Sequence, residues 1–465
     1  MRSTLSFLLP TACLLSVLAT VSQAAEPNGP RLNVLFIAVD DLRPELGCYG
    51  NRLVQTPHID SLAAAGVRFE RAYCQFPLCN PSRTSLLTGR HPNTTGVHDN
   101  SAYFRTAHPA WVSLPQFFKS HGYVAARTGK IFHGGIDDTD AWTTGGEPRR
   151  DQKTRPKQNP ANSDRIVTLE RDGQQHGDYK TATRAIELLE EFKREGEAPA
   201  EPFFLAVGFT KPHSPPTAPQ RLFDLYDAAK IPLPPDFAAL PAAPPGFPEA
   251  SVTKRSGDLF INREATPEAA REMIRAYHAS LTFADTQIGR VLAALDRLKL
   301  REKTVIVFFG DHGYHLGEKG KWSKHSSLFE VAARVPMIVC APGGAAGKSS
   351  PRTVQLLDIY PTLAELCGLP APEGLEGHSL APLVKDPQAA WPHPAYTVCN
   401  IAGTRGQSIR TERWRYSEWN GGDAGAVLFD EQADPHEMKN LADEPAHKQV
   451  VAEMKALLAK LPKRQ

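Results

Sequence analysis

Residues 78–90 read Leu-Cys-Asn-Pro-Ser-Arg-Thr-Ser-Leu-Leu-Thr-Gly-Arg. Cys79, Pro81, Ser82 and Arg83 spell C-x-P-S-R, and Leu87, Thr88, Gly89 and Arg90 extend it to C-x-P-S-R-x-x-x-L-T-G-R. Locally this is a helix with Cys79 at its mouth. Pro81 suits the first turn, where its missing N–H costs nothing, and Gly89 suits the far end. Free N–H groups and the positive dipole end attract anions, and a thiol there is activated or converted. A lone cysteine elsewhere is more often an inert, buried hydrophobe.

Working outward, residues 33–39 (NVLFIAV) form an unbroken apolar run that ends in Asp40 and Asp41. That is how a buried parallel strand reads, and ligands of open α/β sheets gather at strand carboxyl ends. Further strands are expected at 123–126, 203–207, 305–309 and 335–339. The first three lead into Gly129-Lys130-Ile131-Phe132-His133, Thr210-Lys211-Pro212-His213 and Gly310-Asp311-His312-Gly313. Helices are expected at 59–66, 113–121, 178–195 and 356–366, and a long one from the Thr266 cap to about 298. The alternation implies an α/β fold with a doubly wound, mostly parallel sheet. Residues 214–257 are rich in proline and read as an ordered surface excursion beside the site. Beyond about residue 385 the pattern changes to short antiparallel strands at 396–401, 407–419 and 426–430, with a closing helix at 446–461. The expected division is a leader over 1–24, a catalytic α/β domain over 25–385 and a smaller C-terminal α+β subdomain over 386–465.

The 465 residues can bury a large core, and 53 Lys+Arg against 51 Asp+Glu leave a net charge of +2. No global charge argues for a nucleic-acid partner. Arg2, the apolar run over 5–20 and Ser22-Gln23-Ala24 read as a Sec-type signal peptide. Export to a periplasmic, extracellular or other secretory compartment follows, with no membrane span in the mature chain. Besides Cys13 and Cys79, five cysteines without regular spacing make neither a disulfide scaffold nor a zinc site.

Asp40, Asp41, Asp311 and His312 stand at two strand ends far apart in sequence. Adjacent buried carboxylates are costly unless a cation holds them, and oxygen ligands favour calcium or magnesium. Two solvated turn aspartates are the plainer alternative. Arg83, Lys130 and Lys324 can supply positive charge to an anionic ester, and His133 and His213 can move protons. Lys324 follows Lys319 and Lys321, so the three can also be a solvated run. His98, Asp99 and Arg105 face either substrate or solvent, and His325 is a possible substrate contact.

The 79–90 stretch resembles the signature of the type I sulfatases. Asp40-Asp41-Leu42-Arg43-Pro44, Gly129-Lys130-Ile131-Phe132-His133, Lys211-Pro212-His213, Gly310-Asp311-His312-Gly313 and Leu316-Gly317-Glu318 leading to Trp322-Ser323-Lys324 resemble the iduronate-2-sulfatase branch most. The resemblance implies an alkaline-phosphatase-like fold and a sulfated saccharide substrate. It implies one Ca2+ ion on Asp40, Asp41, Asp311 and His312, completed by residue 79. It also implies that a maturation enzyme oxidises Cys79 to formylglycine. The hydrated aldehyde is a gem-diol: one hydroxyl attacks sulfur, and deprotonation of the other later expels sulfate. By the same resemblance His133 is the base of that second step, while His213 and Lys324 assist the leaving oxygen. Arg83 and Lys130 complete the expected catalytic set. A phosphate or phosphonate monoester hydrolase of the same superfamily, and a sulfatase for another glycan position, are the competing enzymes. A glycan-binding protein with a dead site would lack one of these residues, and none is missing.

Overall fold

The computed structural model describes residues 31–150, 162–194, 201–401 and 403–463, so the expected leader lies outside the described residues. The central sheet holds β1 (Asn33–Val39), β2 (Val67–Tyr73), β3 (Val124–Gly129), β5 (Phe203–Phe209), β7 (Thr304–Gly310), β8 (Arg334–Cys340) and β9 (Lys348–Gln355). A two-stranded parallel pair, β4 (Val167–Leu169) with β6 (Thr217–Pro219), stands apart from it. The sheet order is β3-β5-β1-β7-β8-β2-β9. Pairing is parallel except where β8 runs against both β7 and β2.

The apolar runs explain the middle of this sheet. β5 and β7 are buried along their whole length and β1 along nearly all of it, so both faces must be covered. One layer packs the long helix Pro267–Arg297 and the helix Gly177–Arg194 against Leu35, Ile37, Leu205 and Ile306. The other packs Leu114–Ser120, Ile359–Leu366 and the helix Cys79–Thr88 against Val34, Phe36, Phe204 and Val305. The long helix begins as its sequence predicts: Thr266 Oγ1 accepts the Ala269 N–H at 3.3 Å, and Pro267 follows.

β2 and β9 were not legible. β2 carries Arg68, Glu70 and Arg71 and is bulged against both neighbours, which breaks its alternation. β9 is an edge strand containing Pro351, tolerable only where no ladder partner needs its N–H.

The C-terminal sheet is β10 (Ala395–Ile401), β11 (Thr404–Arg410), β12 (Trp414–Trp419) and β13 (Ala426–Asp430), antiparallel in that order. The single strand expected over 407–419 is therefore two. Thr411 turns the chain, its N–H bound to the Trp414 carbonyl at 2.9 Å and its Oγ1 accepting the Trp414 N–H at 3.1 Å. The helix Lys448–Leu458 covers one face through Met454 and Leu458. β10 leans on the segment before Cys79, with Val398 N–H donating to the Gln75 carbonyl at 2.9 Å.

Candidate active site

The carboxyl ends of β1, β3, β5 and β7 lie side by side, because these strands are parallel neighbours. They deliver Asp40-Asp41, Lys130, His213 and Asp311-His312 to one edge. The helix Cys79–Thr88 enters that edge with its whole first turn buried, Arg83 included. Asp41 holds a left-handed backbone (φ 59°), which a non-glycine residue adopts only under constraint. The constraint is visible. The Asp41 N–H donates to Asp311 Oδ1 at 3.1 Å, and its carbonyl accepts the Tyr277 hydroxyl at 2.8 Å.

Among the described residues, Asp40, Asp41, Cys79 and His312 each offer a ligand atom within 4.8 Å of the others, all four buried. The Cys79 sulfur lies 3.4 Å from Asp40 Oδ1 and 3.3 Å from His312 Nε2. Asp311 stands beside this group, its Oδ2 3.5 Å from His312 Nε2, and is gripped by Arg83 Nε at 2.8 Å. The donor set fits a hard divalent cation. With Asp311, three carboxylates stand there, and Asp41 Oδ1 is buried with no hydrogen-bond partner beyond its 2.9 Å ion pair with Lys324. Burial opposes charge on His312, yet Asp311, Cys79 and Asp41 raise it to about 10.

Cations surround the cysteine. Lys130 Nζ pairs with Asp40 Oδ2, and Arg83 Nη1 donates to the carbonyls of Lys130 (2.6 Å) and Ile131 (2.9 Å). Burial pushes Asp40 up, but Lys130, His213, Arg83 and Lys324 outweigh it and hold the carboxyl well below its usual range. Burial and Asp40 likewise oppose a Cys79 thiolate, and Lys130, Lys324 and His312 overcome them. The thiol is therefore held well below its ordinary value.

The two histidines are pushed in opposite directions. Burial lowers His133, while Asp41 raises His213 against its own desolvation. Lys324 Nζ lies 2.9 Å from Asp41 Oδ1 and 3.1 Å from His213 Nε2. The solvated-run alternative for the lysines fails: Lys319, Lys321 and Lys324 are all buried. Lys319 pairs with Asp236 at 2.7 Å, and Lys321 donates to Thr253 Oγ1 and the His325 carbonyl, both at 3.0 Å. Their partners Asp236 and Thr253 come from the proline-rich excursion, which packs onto the site loop as expected.

Other candidates are occupied locally. Arg105 is clamped by Asp138 and by the carbonyls of Pro109 and Trp111. Asp99 caps its own turn through the N–H groups of Ser101 and Ala102, and His98 packs on Phe76. His315 is buried against Ser327 Oγ at 2.8 Å. Sequence reasoning missed Asp258, whose Oδ2 is 3.4 Å from Lys324 Nζ. It sits at no strand end and in no motif, so only the lysines' need for counter-charge could have pointed to it.

The Sulfatase family profile matches residues 32–369. This chain belongs to the sulfatase family. It is a sulfuric ester hydrolase, and its architecture is the alkaline-phosphatase-like one expected. A second profile, described as N-sulphoglucosamine sulphohydrolase, C-terminal, matches residues 317–464 of the sulfatase. Over 508 aligned residues it is 33% identical to iduronate 2-sulfatase of Mus musculus, covering 91% of this chain and 90% of that relative. The solved structure of a 2-O GAG sulfatase is similar at a TM-score of 0.69 and 26% identity, over 92% of this sulfatase and 91% of that chain. Phosphonate monoester hydrolase from Silicibacter pomeroyi shares the fold at a TM-score of 0.73 and 22% identity, over 92% and 95% of the two chains. No helix among the described residues is long and apolar enough to cross a membrane.

Proposed function

We propose that this sulfatase is exported and removes, in exo fashion, a 2-O-sulfate from the uronic acid of a glycosaminoglycan-type saccharide. The observation that carries the reaction is Cys79 at a buried helix mouth, between the Asp40–Asp41–His312 group and a ring of Arg83, Lys130 and Lys324. The sugar and position rest on the names of the relatives, an iduronate 2-sulfatase and a 2-O GAG sulfatase.

Calcium, held by Asp40, Asp41, Asp311, His312 and residue 79, would add positive charge opposite the sulfonyl oxygens. Formylglycine made from Cys79 by a maturation enzyme would supply the hydroxyl nucleophile and a route for releasing sulfate. The remaining work falls to the chain's own side chains. Lys130 reaches the sulfonyl oxygens, where negative charge is concentrated, Lys324 stands beside His213 on the leaving-group side, and Arg83 fixes the helix that carries residue 79. His133, kept neutral by burial, takes the proton at residue 79. His213, raised by Asp41 and touching Lys324, gives a proton to the departing sugar oxygen.

The test is sulfate release from an iduronate 2-O-sulfated disaccharide, using protein co-produced with a maturation enzyme and a Cys79→Ala control. Release that vanishes in the control supports reaction and position together. Turnover of a simple aryl sulfate without the disaccharide would discard the 2-O-uronate substrate and keep the sulfatase. The shared fold with a phosphonate monoester hydrolase makes phosphonate release the second assay. Amino-terminal sequencing of secreted protein checks cleavage after Ala24.

A further inference from the structure

The Lys324 ammonium has three N–H bonds and three facing partners. Two are Asp41, 2.9 Å away, and His213 Nε2, 3.1 Å away. The third is Asp258, with Oδ2 3.4 Å from Lys324 Nζ and Oδ1 3.6 Å from His325 Nε2. Asp258 is buried and its Oδ2 makes no hydrogen bond, so the Lys324 ammonium is the main compensation of its charge, with His325 second. Asp258 is also not one of the candidate cation ligands, whereas Asp41 is.

The segment that carries Asp258 is braced against the segment that carries Lys324. Trp322 N–H donates to Ser256 Oγ at 2.9 Å, and Leu259 N–H returns to the Trp322 carbonyl at 3.2 Å. At Gly257 a Cβ would sit 3.0 Å from His325 Cδ2, so the two strips of chain lie in close contact. The Tyr314 ring packs below the ammonium, its centroid 5.8 Å from Nζ. A carboxylate presented this rigidly can fix where an ammonium points.

We propose that Asp258 is a positioning residue for departure of the leaving alcohol: it holds Lys324 aimed at His213 and the leaving oxygen, and pins His325 on the substrate-facing rim. This rests on the reading above, in which Lys324 and His213 serve the leaving-group side. The consequence is a dependence on the leaving group. A sugar alkoxide is a poor leaving group and needs the aligned ammonium and imidazole. A nitrophenolate departs with little help.

The experiment compares wild type, Asp258→Asn and Asp258→Ala on a 2-O-sulfated disaccharide and on 4-nitrophenyl sulfate. Misalignment of a catalytic group costs about a hundredfold in kcat. That loss is expected on the disaccharide, with kcat on the aryl ester nearly unchanged. Asp258→Glu, which keeps the charge, should recover part of it. Equal losses on both esters would reduce Asp258 to a structural counter-ion, and no loss on either would remove it from the reaction. Should the wild type cleave phosphonate monoesters and no sulfate, the sulfate reading fails. The same comparison between aryl and alkyl phosphonates then decides the role of Asp258 by itself.

Discussion

His312 Nε2 faces the Cys79 sulfur at 3.3 Å, while its Nδ1 meets the Gly313 carbonyl at 3.0 Å. A carbonyl can only accept, so Nδ1 carries a hydrogen and the neutral ring turns its Nε2 lone pair into the Asp40–Asp41 group. With no cation, the surrounding negative charge draws a proton there instead, which is why His312 is raised to about 10. A divalent ion held by these residues would take the place of that proton. Calcium at about a hundred times its Kd is therefore expected to raise stability by about 2.7 kcal/mol, read as a higher Tm that chelation reverses. Asp41→Asn and His312→Ala should lose most of that calcium-dependent rise. A wild-type Tm indifferent to both calcium and chelator would contradict the cation site.

Close backbone approach brings Lys130 to the same site. Gly208 in β5 pairs with Gly129 at the end of β3, and a Cβ on Gly208 would lie 1.9 Å from the Lys130 carbonyl oxygen. Gly208→Ala must therefore push the Lys130 segment away from Asp40. Overpacking of this kind costs about 2 kcal/mol, and kcat should fall with it because Lys130 moves. Gly177→Ala, where a Cβ meets nothing within 4 Å, is the control and should leave both Tm and kcat close to wild type.

What could be read in advance follows the physics of the elements. β1, β5 and β7 are buried on both faces, so their sequences are nearly pure hydrophobe and their polar ends stand out. Those ends carry Asp40, Asp41, Asp311 and His312, and they meet because neighbouring parallel strands finish on one edge. β2 and β9 hid behind charges, a bulge and a proline. Lys324 was legible as a site residue, but with Lys319 and Lys321 it could equally be read as a solvated run, because a charge run usually is one. Asp236, Thr253, Asp258 and the His325 carbonyl compensate them in the interior. Such partners come from distant loops with no periodicity, which leaves no local trace in the sequence.

Asp285 offers a stability measurement away from the chemistry. It projects from the long helix, is buried, and caps the helix Pro57–Ala65: Oδ1 accepts the Ile59 N–H at 2.8 Å and Oδ2 the His58 N–H at 3.3 Å. Burial raises it from 3.8 to about 7, against the pull of those two N–H groups. Between these values the folded chain keeps a proton that the unfolded chain has released. Its contribution is thus fully present below about pH 4 and is lost as pH rises through about 7, the reverse of a salt-bridged aspartate. At about 1.4 kcal/mol per pH unit, wild type should lose roughly 3 kcal/mol between pH 5 and 8 relative to Asp285→Asn. Denaturant unfolding of both proteins at several pH values reads that gap directly. A gap that stays constant across the range would mean that Asp285 titrates in the fold as it does in the open chain.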